Sequence, residues 1–295
     1  MPELPEVETV RRGLEPVLVG RTITGVRLAR QDLRFALPKD FANRLEGRRV
    51  TGLTRRAKYL IAELDSGDKL LMHLGMTGRF TVVLPGGPAV TLGEFYYELP
   101  AAGDDVHDHV MFELQDGHRI VYNDARRFGL MDIVVNGSLV PHPLLARLGV
   151  EPLGNSFDAW HLHEAFHGKR APLKAALLDQ RIIAGLGNIY VCEALHRSRL
   201  SPLRLAGTLA RRRAPDERLE RLVAAIRSVL TEAIEAGGST LRDYARTDGS
   251  AGAFQTAFEV YDREAERCGR DGCTGRIRRT VQAGRSTYWC PVCQR

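Results

Sequence analysis

The chain opens Met1-Pro2-Glu3-Leu4-Pro5-Glu6-Val7-Glu8. Proline at the second position permits removal of the initiator Met, which leaves Pro2 as a free secondary amine. An α-amino group titrates near ~7.7–8.0, well below the ~10.4 of a lysine amine, so a useful fraction is unprotonated near neutral pH. Such an amine attacks a sugar or carbonyl carbon and, being secondary, yields an iminium. Glu3 and Glu6 sit three residues apart, a spacing that sets both carboxylates on one helix face beside the amine. They are the available proton donors and acceptors. The same residues also read as an ordinary helix start. Pro5 suits a first turn, the glutamates suit the positive end of the helix dipole, and Leu4, Val7, Val10 and Leu14 form an apolar stripe. The two readings are compatible, because a helix holds both groups rigidly.

A second constellation closes the chain. Of five cysteines, four lie in the last 28 residues as Cys268-x4-Cys273 and Cys290-x2-Cys293, separated by sixteen residues. Two disulfides are possible, but two close thiol pairs match a tetrahedral zinc site with every ligand from protein, hence structural. The intervening residues form two β-prone runs flanking Ala283-Gly284, a hairpin signature. Arg267, Arg270, Arg276, Arg278, Arg279, Arg285 and Arg295 crowd this segment against one acid, Asp271. So short a unit builds no core of its own, so metal binding supplies its folding energy, and its arginines suit phosphates. The remaining thiol, Cys192, reads as a small buried apolar group.

These groups need scaffolding. From Arg21 to about Val135 short alternating runs (21–28, 49–53, 58–64, 69–74, 79–84, 109–114, 118–122, 130–135) are separated by turn signals such as Asp65-Ser66-Gly67-Asp68, which predicts a β-sandwich or barrel. After Pro141-His142-Pro143 the period changes, and 158–166, 172–178, 188–196 and 215–236 read as helices. Ser156 or Asp158 caps the first of these, and Gly237-Gly238 ends the last. Between two helices lies Gly185-Leu186-Gly187-Asn188; Asn188 either caps the next helix or, with free helix N–H groups, holds a phosphate. Arg242–Gln255 reads as a mobile loop. The net charge of +6 suits a polyanionic partner. No apolar run approaches the ~20 residues of a membrane span, and the acidic N-terminus lacks a signal core, so the expected location is cytoplasmic.

Together these pieces resemble the bacterial formamidopyrimidine-DNA glycosylase family. The resemblance covers essentially the whole chain. Its carriers are Pro2–Thr9, Arg56–Leu60, His73–Gly78, Asp124–Gly129, Gly185–Tyr190, Gly237–Leu241 and the four cysteines. It implies an α+β multidomain fold: a β-sandwich bearing the N-terminal helix (1–135), a linker (136–150), a helical helix–two-turn–helix domain (151–258) and a zinc-finger β-hairpin (259–295). DNA would lie in a basic cleft between domains. The first cysteine pair departs from the commoner C-x2-C spacing, which puts only the local shape of that knuckle in question.

The resemblance further implies a glycosylase and abasic-site lyase of base excision repair, acting as a monomer on oxidised purines in duplex DNA. Pro2 would be the nucleophile and Glu3 the acid. Lys58 and Arg285 would contact phosphates around the lesion, and His73 and Asn188 the backbone phosphates. Met76, Arg126 and Phe128 would fill the void left by a flipped base. Glu6 would touch the base or order the terminus. One Zn²⁺ on Cys268, Cys273, Cys290 and Cys293 would be structural. Two alternatives stay open: an endonuclease VIII-like preference for oxidised pyrimidines, and a non-catalytic zinc DNA-binding protein.

Overall fold

The structure, a computed structural model, describes residues 2–87, 89–92, 106–135, 138–139, 142–239 and 254–295. Most of the expected loop at 242–255 lies outside the described residues. By its contacts the chain forms two units: Met1–Ala146 with Ala236–Gln255, and Arg147–Glu235 with Thr256–Arg295.

The first unit begins with α1 (Leu4–Leu18), whose apolar stripe of Val7, Val10, Leu14 and Leu18 is fully buried. One antiparallel sheet has the order β1 (Ile23–Leu28), β7 (Asp108–Leu114), β8 (Arg119–Asn123), β5 (Arg79–Val83), β6 (Ala89–Leu92). The other runs β2 (Val50–Arg56), β3 (Tyr59–Leu64), β4 (Lys69–His73), β9 (Leu130–Val134). A short α2 (Phe41–Leu45) connects β1 to β2. One core joins both sheets to α1. Phe80, Phe112 and Tyr122 come from the first sheet, Leu53, Leu60 and Met72 from the second, and Val10 and Leu14 from the helix. This is the expected sandwich.

The second unit packs α3 (Ala159–Phe166), α4 (Leu173–Leu177), α5 (Asn188–Arg197) and α6 (Glu217–Glu235). Asp158 caps α3, its carboxylate accepting the His161 N–H at 2.7 Å. Gly237 and Gly238, at φ +83 and +88, stop α6. The hairpin β10 (Arg278–Gln282) and β11 (Arg285–Trp289) packs on α5. Its two turn residues, Ala283 and Gly284, both take positive φ, the twist that a tight hairpin requires.

Candidate active site and metal centre

Glu3 is the N-cap of α1, and Glu6 is its third residue. The Glu3 side chain accepts the Glu6 N–H, and Glu6 Oε2 accepts the Glu3 N–H at 2.8 Å, a capping box built from two carboxylates. Glu6 Oε1 accepts from both the backbone N–H and the hydroxyl of Ser239, each at 2.8 Å. Pro2, Glu3 and Glu6 are all buried. Both Glu6 oxygens thus accept from protein donors. Gly238 precedes Ser239 at φ +88, a backbone conformation that L side chains rarely adopt. Farther along α1, burial raises the Glu8 carboxyl, but Arg11, Arg55 and Arg12 outweigh it and hold Glu8 below its ordinary value. The Arg55 contact pins the helix to β2 at 3.2 Å.

Lys58 does not open a strand. It occupies the two-residue turn between β2 and β3, after Ala57 at φ +54, and is 7% exposed. The next residue, Tyr59, pairs with His73 across β3 and β4, their rings 4.8 Å apart. Burial first, then the charges of Lys58 and Arg34, lowers His73 to about 4. Its Nδ1 accepts the Gly75 N–H at 2.9 Å, so the neutral ring carries its hydrogen on Nε2 and offers that as a donor.

Pairing of β4 with β9, His73 opposite Leu130, sets the loop Leu74–Gly78 beside the loop Asp124–Gly129. Buried Asp124 stitches them. It accepts from the Thr77 hydroxyl, from Tyr122 at 3.2 Å and from the Gly129 N–H at 2.8 Å. Thr77 Oγ1 in turn accepts the Arg126 N–H at 3.1 Å. The backbones meet at Gly75, where a Cβ would fall 2.3 Å from Gly129 N. Met76 is thereby carried on a loop locked to that of Arg126 and Phe128. The Arg126 guanidinium stacks 4.7 Å over the Phe128 ring, which stays 43% exposed. A large half-exposed ring under a cation is a surface prepared for stacking.

In the second unit, Gly187 is the N-cap of α5 and Asn188 is the first helical residue, so its side chain makes no cap. Instead Asn188 Nδ2 donates to Ser286 O at 3.0 Å, while its Oδ1 is buried with no partner among the described residues. Arg285 is exposed at the hairpin turn. Lys174, 1% exposed, donates to Ser286 O at 3.0 Å and Thr287 Oγ1 at 2.7 Å, fixing the start of β11. Lys174 and Arg285 line an open cleft of about 400 Å³. The only sequence signal for Lys174 is a charge inside the otherwise apolar Leu173-Lys174-Ala175-Ala176-Leu177.

The four cysteines converge: their Sγ atoms all lie within 4.8 Å of one another, with Cys273–Cys290 at 3.6 Å and Cys268–Cys293 at 3.9 Å. A tetrahedral ion with bonds of about 2.3 Å separates its sulfurs by roughly 3.8 Å, so the set fits a structural metal. Burial, then the neighbouring Cys290 and Cys268, pushes the Cys293 thiol up to about 12. A crowd of thiols ionises together only around a cation. The long knuckle closes through Gly272 at φ +71 and a Cys273 N–H to Arg270 O bond of 3.0 Å. Cys192 is buried in the same apolar cluster as Cys268 and Cys290.

Known proteins share this fold. The model of the formamidopyrimidine-DNA glycosylase N-terminal domain matches residues 1–131, and that of the family's H2TH domain matches 148–245. A formamidopyrimidine-DNA glycosylase of Methylobacterium sp. (strain 4-46) is 61% identical over 295 residues, spanning all of this chain and 99% of the relative. Among solved structures, the MutM (Fpg) protein from Thermus thermophilus is 41% identical with a TM-score of 0.80, over 99% of this chain and 98% of that one. Wild-type Lactococcus lactis Fpg, in complex with DNA containing N7-benzyl-Fapy-dG, is 31% identical with a TM-score of 0.82 over 100% of both chains. The chain belongs to the formamidopyrimidine-DNA glycosylase family.

Proposed function

We propose that this protein is a bifunctional DNA glycosylase and abasic-site lyase of base excision repair, removing oxidised purines from duplex DNA. The observation that carries this is the N-terminus. Glu3 is fixed at a helix start by Glu6, itself held by Ser239, and the adjoining Pro2 is buried, so removal of Met1 yields an amine on a fixed helix start.

A base inside the stack is out of reach, so the damaged nucleotide is flipped out. Met76, Arg126 and Phe128 occupy the vacancy, a thioether, a cation and a ring that pack and stack. Lys58, His73, Asn188 and Arg285 hold the surrounding phosphates. Pro2 then bonds to C1′, and the base departs with the electrons of the glycosidic bond and takes up a proton. Glu3 protonates O4′ as the sugar ring opens, leaving the iminium. The iminium acidifies the C2′ proton; its loss expels the 3′ phosphate, and a second elimination expels the 5′ phosphate. The four thiolates hold one structural Zn²⁺, which shapes the Arg285 hairpin. Action is monomeric and cytoplasmic.

Borohydride trapping on a duplex with one 8-oxoguanine opposite cytosine tests this, because reduction converts the iminium into a stable amine. Mass spectrometry is expected to place the adduct on Pro2, and Pro2→Gly or a retained N-terminal tag is expected to abolish cleavage. Full cleavage with a blocked terminus overturns the mechanism. Trapping only on oxidised pyrimidines overturns the purine preference. Binding with no adduct on any lesion leaves a zinc DNA-binding protein.

A further inference from the structure

Helix α5 meets the cysteine centre through a residue outside the ligand set. His196 is completely buried, and its Nε2 lies 3.3 Å from Cys268 Sγ. The other ring nitrogen, Nδ1, lies 2.8 Å from Glu259 Oε2. Glu259 is itself held twice. Its Oε1 accepts from Arg197 at 3.1 Å, and its backbone N–H donates to Glu193 at 2.9 Å. Glu193, also fully buried, accepts the N–H groups of Val260 and Tyr261 as well. From the far side of the knuckle, Arg270 reaches back to His196 O at 2.6 Å. One helix therefore grips the first ligand from both directions, at its sulfur and two residues past it.

We infer that His196, oriented by Glu259, is a positioning residue for the metal centre: it donates Nε2–H to the Cys268 thiolate and holds that sulfur in the ligand set. The inference rests on the zinc reading above. A carboxylate and a metal-bound thiolate both only accept, so the ring between them must carry a hydrogen on each nitrogen. That hydrogen bond spreads the sulfur's charge, fixes its direction and protects the thiolate from electrophiles. Outer partners of this kind are worth 10- to 100-fold in metal retention. They also matter more where the knuckle is long, because the four residues between Cys268 and Cys273 leave the first ligand less constrained by its own loop.

The test compares His196→Gln with His196→Met in the full-length, zinc-loaded protein. The two side chains have nearly the same volume and differ in carrying an N–H donor. Zinc release to a metallochromic chelator is expected to be about 10- to 100-fold faster in the Met variant and within a few-fold of wild type in the Gln variant. After replacement of zinc by cobalt, the thiolate-to-cobalt charge-transfer band is expected at lower energy in the Met variant only. Equal release from Gln and Met variants overturns the inference, since packing alone then explains the residue. Glu259→Gln gives a second reading that does not disturb the core, because Glu259 is 39% exposed. Release several-fold faster than wild type is expected there, and an unchanged rate overturns the relay. A wild-type protein that carries no zinc overturns the metal reading and the relay together.

Discussion

His73 shows how one side chain's charge follows from its seat. Burial, Lys58 and Arg34 all oppose its protonation, so its folded-state value is about 4 against an ordinary 6.5. Between those values the unfolded chain binds the proton and the folded one does not. The stability it contributes is whole above about pH 6.5 and is lost progressively as pH falls toward 4. An NMR titration of the free protein should put the ring's midpoint near 4, and Lys58→Met should raise it. A midpoint near 6.5 would show that neither burial nor the cations govern the ring. In the proposed phosphate contact a neutral His73 donates a hydrogen bond without a charge, so lowering the pH from 8 to 6 should add no phosphate attraction through this ring. At this scale the sequence was legible where spacing alone brings groups together, as for Glu3 and Glu6 at the start of α1 and the four cysteines. It was illegible where a role depends on distant partners. Glu6 meets Ser239 across 233 positions, Lys174 meets Thr287 across 113, and His196 meets Cys268 across 72.

Strands and helices were readable because alternation and helical period are local properties, and every expected run has its element. The short α2 and the four-residue β6 escaped because neither is long enough to show a period. Loops carry the remaining information, and Gly75 is the sharpest case. At φ +63 it allows the backbones of two loops to touch, and no side chain fits between them. Gly75→Ala should therefore push the Met76 loop away from Phe128. The protein would keep its Pro2–Glu6 terminus, which lies on a different element. Excision of 8-oxoguanine should fall by about 10- to 100-fold, the cost of a displacement on the ångström scale. Cleavage at a preformed abasic site, which has no base to replace, should fall much less. Equal losses on both substrates would assign the two loops to general folding instead of to the flipped base's vacancy.

The whole chain is two cores threaded through one another in sequence. Ala236–Gln255 returns to the first unit after the helices of the second, a path invisible in the sequence because Ser239 gives no local sign of its bond to Glu6. The core that unites both sheets with α1 contains no cysteine, whereas Cys268 and Cys290 lie in a small cluster with Val260, Ile277 and Tyr288. A cluster that small does not offset the chain entropy of the hairpin, so on the proposed zinc reading the metal supplies the difference. Stripping the metal with a thiol reagent and chelator should then melt the hairpin selectively. Methyl NMR signals of Val10 and Leu60 should persist while those of Val260 and Ile277 broaden. DNA affinity should drop. Its dependence on salt should become shallower, each lost phosphate contact removing about 0.9 from the slope of log K against log salt. Loss of the sandwich signals together with the hairpin's would mean that the two cores unfold as one, and that the metal stabilises the whole chain instead of its last forty residues.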